Sequence, residues 1–124
     1  MANKEPTYTE AQIAEKLATM PGWYHENGWI RRVYKTDGWQ ATLMLVNTVG
    51  YVAEAAYHHP DLTVTWAKLT VKLQTHSAGG ITDKDFELAR KIEEVVAWQP
   101  GLAGGALEGT PQEDLRFAYI KYDK

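Results

Sequence analysis

The sequence contains no cysteine. Disulfides, thiolate nucleophiles, iron–sulfur clusters and cysteine-type zinc sites are therefore excluded. It also lacks a long hydrophobic run. The longest candidate, Thr42 to Tyr57, is broken by Asn47 and Glu54, too early for a membrane-spanning helix. A basic excess is missing too: 13 Lys and Arg stand against 16 Asp and Glu, a net charge of -3. Binding nucleic acid in general requires a basic surface to displace counterions from phosphates, so neither nucleic acid nor a membrane is an expected partner. The stretch from Met1 to Glu10 has no apolar core of the kind a secretory signal needs, and with the absent cysteine this gives a cytoplasmic expectation. No phosphate loop, dinucleotide fingerprint or nucleophile elbow is present.

What is present suits one folded domain. The 124 residues are 44% hydrophobic, which argues against wholesale disorder. Thr9 with Gln12 three positions on forms a capping box for a first helix carrying Ile13 and Leu17. Trp23-Tyr24-His25 and Trp29 to Lys35 read as strands joined through Asn27-Gly28, a hairpin signal. The longest helical pattern follows Gly38. Leu43, Val46, Gly50, Ala53 and Tyr57 recur at three- and four-residue steps and form its expected buried face, and Pro60 ends it near His58-His59. Leu62, Val64 and Trp66 alternate with threonines, and Leu69, Val71 and Leu73 alternate with polar residues, so two more strands with one dry face each are expected. Thr82 with Asp85 opens a last helix with Phe86, Ala89, Ile92 and Val96 facing the core. The order α-β-β-α-β-β-α predicts an α+β, two-layer sandwich: an antiparallel four-stranded sheet with helices on one face. Residues 99–124 read as a Gly/Pro-rich loop followed by an ordered C-terminal extension, in which Leu115, Phe117 and Tyr119 share one side if the segment is extended.

Three of the four histidines lie between positions 58 and 76. Imidazole donates and accepts protons near pH 7, so His58, His59 and His76 are candidates for acid–base work if their elements meet. Glu54 lies four residues before His58, so the two share a helix face, where a carboxylate orients an imidazole and raises its pKa. Other readings stay open. An adjacent histidine pair before proline also serves as a helix cap. Three histidines also suit zinc, although adjacent histidines at a helix end diverge and no His-x-x-x-His spacing occurs. His25 alone reads as structural or solvated. Trp66 either walls a pocket or fills the core.

The run Glu54-Ala-Ala-Tyr57-His58-His59-Pro60-Asp61, then Trp66, Thr75-His76 and Asp85, resembles the pterin-4a-carbinolamine dehydratase family. The family signature has an acidic or polar residue, then His-His-Pro, an aromatic residue six positions on, a further His and a downstream Asp. The resemblance covers roughly Thr9 to Ala97. Tyr57 and Lys84 depart from it: relatives often carry a small polar or acidic residue at the first position, and some have Arg at the second.

The resemblance implies dehydration of 4a-hydroxytetrahydropterin to quinonoid dihydropterin, in pterin recycling, by a hydro-lyase needing no metal and no organic cofactor. It implies His58, His59 and His76 as catalytic. Glu54, Tyr57, Pro60, Trp66, Thr75 and Asp85 are implied around the substrate. His58 and His76 are the preferred proton-transfer pair, with His59 positioning substrate and Glu54 orienting His58. It implies a pterin-dehydratase-like domain over 1–98 and a homodimer or tetramer. The alternative is a non-catalytic relative acting as a RuBisCO assembly chaperone or as a transcription-factor dimerisation cofactor, with the C-terminal tail open to a protein partner.

Overall fold

Two capping boxes and one Asn-Gly turn fix where the chain begins to order. The computed structural model describes residues 5–111, 113–114 and 117–122. Helix α1 (Glu10–Leu17) starts at Thr9, whose hydroxyl accepts from Gln12 N–H while the Gln12 side chain accepts from Thr9 N–H. Strands β1 (Trp23–Glu26) and β2 (Trp29–Lys35) meet through Asn27 and Gly28, at φ 51° and 82°. Positive φ at both positions is what a two-residue turn between twisted strands demands. Helix α2 (Trp39–Ala56), strands β3 (Asp61–Thr65) and β4 (Lys68–Leu73), and helix α3 (Asp83–Val96) complete the expected order. The capping box at Thr82 and Asp85 opens α3.

The sheet runs β1-β2-β4-β3, antiparallel throughout. Register places Ile30 opposite Leu73, Arg32 opposite Val71 and Tyr34 opposite Leu69, so one face of β2 and β4 is apolar or covered along its length. The helices pack on that face. Phe86, Ile30, Leu69, Leu73, Ile92, Val49 and Val71 are fully buried there. Each such side chain contributes roughly 1.5–3 kcal/mol relative to exposure. At φ 88°, Gly22 lies against the Arg32 guanidinium, which leaves no room for a β-carbon.

The apolar stripe of α2 is not the expected one. Ala41, Thr42, Leu45, Val49, Val52 and Ala53 face the core, whereas Leu43, Gly50 and Tyr57 are exposed and Val46 is partly covered. The helix is apolar around most of its circumference, so two stripes compete and periodicity alone does not choose between them. β3 also departs from expectation. Leu62 is half-buried, Val64 is exposed, and Trp66 sits in the turn after the strand. β3 is an edge strand, and its side chains are more exposed than those of the interior strand β4.

The C-terminal segment returns to the sheet. β1 pairs with β2 only as far as Arg32, and beyond it Lys121 N–H donates to Lys35 O and Asp37 N–H donates to Tyr119 O. Thr36 and Ile120 form a single bridge rather than a strand. Phe117 and Tyr119 are half-buried, and Leu115 lies outside the described residues. Among the described residues no helix is long and apolar enough to cross a membrane.

Candidate active site

The site begins at the end of α2. Tyr57 leaves the helix in the left-handed region, at φ 52° and ψ 43°. Its N–H and that of His58 fold back onto Ala53 O, closing the last turn. This reversal is ordinarily made by glycine. It means that His58 is no longer on the helix, so the four-residue spacing from Glu54 does not bring their side chains together. The structure corrects that expectation: Glu54 Oε1 lies 2.7 Å from His59 Nε2.

The partner of His58 comes from α3. His58 Nε2 lies 2.7 Å from Asp85 Oδ1, and Asp85 is completely buried. The other carboxylate oxygen, Oδ2, accepts from Thr75 Oγ1 at 2.7 Å and from Thr82 N–H at 2.9 Å. Thr75 and Thr82 hydroxyls are themselves 2.8 Å apart. A buried carboxylate is costly unless its acceptor capacity is filled, and here both oxygens are engaged. The Asp85 side chain thus caps α3, fixes the end of β4 and holds one imidazole. Thr75 directly precedes His76, so one carboxylate joins the strand end bearing His76 to the helix end bearing the histidine pair.

The remaining two histidines are solvent-facing. His59 packs the edge of its ring against Tyr57 at a centroid separation of 5.4 Å, and both are exposed. His76 opens a short 3-10 turn, His76–Ala78, and meets the Trp29 ring edge-on at 5.6 Å. Lys72 Nζ sits 4.7 Å above that same indole. Trp29 was not among the residues singled out in the sequence. Its strand position predicted alternation but not that the register would set it beside the turn after β4.

Pro60 is half-buried and leads directly into β3. Trp66 stands apart. Its carbonyl accepts from Thr42 Oγ1 and its ring lies against Gly38, at the start of α2. The 18 residues of α2 span about 27 Å at 1.5 Å per residue. Within one chain Trp66 and the histidines therefore occupy opposite ends of that helix. Among the described residues no three of His, Asp and Glu are grouped as metal ligands.

Sequence comparison follows the same residues. The profile of the family described as "Pterin 4 alpha carbinolamine dehydratase" matches residues 6–95. A relative from Aquifex aeolicus is 41% identical over 88 residues, covering 71% of this chain and 89% of its own. One from Chloroflexus aurantiacus is 43% identical over 91 residues, covering 73% and 98%. Both are named "Putative pterin-4-alpha-carbinolamine dehydratase". The crystal structure of a transcriptional coactivator/pterin dehydratase from Brucella melitensis is 27% identical. It superimposes with a TM-score of 0.67 over 73% of this chain and 98% of that one.

Proposed function

Because the chain belongs to the pterin 4 alpha carbinolamine dehydratase family, we propose that it dehydrates a 4a-hydroxytetrahydropterin to the quinonoid dihydropterin and water. The reaction expels the 4a-hydroxyl after it gains a proton and removes the proton from N5. Two positioned imidazoles suffice for both transfers. The observation that carries the reading is the His58–Asp85–Thr75 chain of hydrogen bonds, which fixes one imidazole from a fully buried anchor. With Nε2 committed to Asp85, His58 has Nδ1 left for substrate. His76 supplies the second proton-transfer group from the adjoining strand end, and His59, held by Glu54, positions the pterin. Asp85, not Glu54, is the positioning residue for His58. Trp66 belongs to this site only if a second subunit brings it there.

A protein-partner role is the second reading. It rests on the exposed apolar side chains Tyr51, Val64 and Trp66. Self-association to a dimer or tetramer is the simplest use of that surface. The discriminating experiment is a dehydratase assay on purified protein with 4a-carbinolamine generated in place, alongside sedimentation analysis. Catalysed decay well above the spontaneous rate, lost in His58→Ala, supports the enzyme. A rate equal to the spontaneous one leaves the partner role as the reading.

A further inference from the structure

At the opposite end of α3 and β2 from the histidines lies a cavity of about 520 Å³, within the range of sites that hold one small organic molecule. We propose that it is a second ligand site, for a small organic anion with an apolar body. Its walls are Met20 and Trp23 from the family-like part of the chain, Val96 just past it, and Ile120 and Tyr122 from the C-terminal segment. That last wall lies beyond residues 6–95, the stretch shared with the family. The two hydrogen bonds that tie the segment to Lys35 and Asp37 hold it in place.

The charges at the site set the ligand class. At the floor Glu93 Oε1 accepts from Trp23 Nε1 and Arg32 Nε, each at 3.0 Å, and from the Tyr34 hydroxyl at 2.7 Å. A cationic ligand would have to compete with those three donors for one oxygen. The mouth is different. Glu94 is paired with Lys91 at 3.2 Å, while among the described residues Lys35 and Arg90 have no carboxylate within ion-pair distance. Lys121 has only a long contact of 3.9 Å with Asp37. Among the described residues three cations thus border an apolar cleft, and Glu93 at its floor is already occupied by three donors. An apolar body would displace water from the walls, and its acidic group would lie at the mouth. The cleft shares no lining residue with the histidine cluster.

The probe is 1-anilinonaphthalene-8-sulfonate, an aromatic organic anion, compared with its uncharged parent N-phenyl-1-naphthylamine. The sulfonate is expected to saturate at one per chain and to shift the indole N–H resonance of Trp23, identified by its loss in Trp23→Phe. The double variant Lys35→Glu/Arg90→Glu changes only exposed side chains, and it is expected to weaken sulfonate binding about tenfold or more while leaving the neutral analogue unaffected. Lys121→Glu gives an independent variant should the double one lose its circular dichroism spectrum. His76→Ala binds the sulfonate as the wild type does. Three results overturn the proposal: no saturable binding, binding that leaves the Trp23 resonance in place, or full affinity in both charge-reversed variants.

Discussion

His58 and Asp85, 27 positions apart, are joined by a 2.7 Å hydrogen bond whose carboxylate end is wholly buried. The same carboxylate accepts from Thr75 and from Thr82 N–H, so its replacement reaches three elements at once. Asp85→Asn keeps the volume but turns one acceptor into a donor facing existing donors. A stability loss of about 1–3 kcal/mol is expected, with turnover falling more than affinity for substrate. Urea denaturation and steady-state kinetics check both parts. Unchanged kinetics with lowered stability would reduce Asp85 to a helix cap.

His76→Ala should lower turnover by roughly 10² or more, the ordinary size of a lost general acid or base. The side chain is exposed, so the fold should persist. Turnover near that of the wild type, with an unaltered circular dichroism spectrum, would remove His76 from the chemistry.

Glu93 links pH to stability. Burial alone would raise its carboxyl pKa, but hydrogen bonds from Arg32 and Tyr34, the Arg32 charge and the Trp23 indole outweigh it and hold the group below the ordinary carboxylate range. A folded-state pKa below the unfolded one adds stability above the unfolded value, about 4.3 for Glu, and that stability is lost as pH falls through the folded value. Tyr34 stays a donor throughout, since burial first and Glu93 second push its hydroxyl pKa well up. Glu93→Gln is therefore expected to cost about 1–3 kcal/mol at pH 7 and distinctly less near pH 3. Equal costs at both pH values, measured by urea unfolding, would contradict the assignment.

Tyr57→Gly should stabilise the chain by about 1 kcal/mol, because the left-handed conformation costs a β-carbon-bearing residue that much and glycine almost nothing. The lost contact with the exposed His59 ring is too small to reverse the sign. A lower midpoint in urea would show that the tyrosine ring holds the turn.

Truncation after Gly109 removes the backbone hydrogen bonds at Lys35 and Asp37 together with the half-buried Phe117, Tyr119 and Ile120. A loss of a few kcal/mol is expected before the regained chain entropy is counted. Unchanged melting, oligomer size and activity would show that the segment is not structural and leave a docking role for it.

Local signals were the legible part of the sequence. Both capping boxes, the Asn-Gly hairpin and the apolar face of α3 form as their spacings imply, because each depends on residues within one or two turns of each other. Misreadings arose where tertiary context decides. The buried stripe of α2 depended on which of two apolar faces the sheet would cover. Glu54 and His58 were paired by a helical rule that the left-handed turn at Tyr57 suspends. The histidine positions were legible, but Asp85 as the partner of His58 was not, since its side chain first reads as a capping residue. Trp29 became a neighbour of His76 only through the β2–β4 register.

The tail dock closes a contact between residues more than eighty positions apart, Thr36 and Ile120. Such contacts pay their loop-closure entropy late, after the hairpins and helices have formed. Among the described residues the dock rests on backbone hydrogen bonds to Lys35 and Asp37 and on half-buried rings, so it can open without disturbing Ile30, Phe86 or Ile92. The amides of Asp37 and Lys121 should then exchange with solvent far sooner than those of the central strands. The segment that reaches the sheet from farthest along the sequence is thus also the one most readily released.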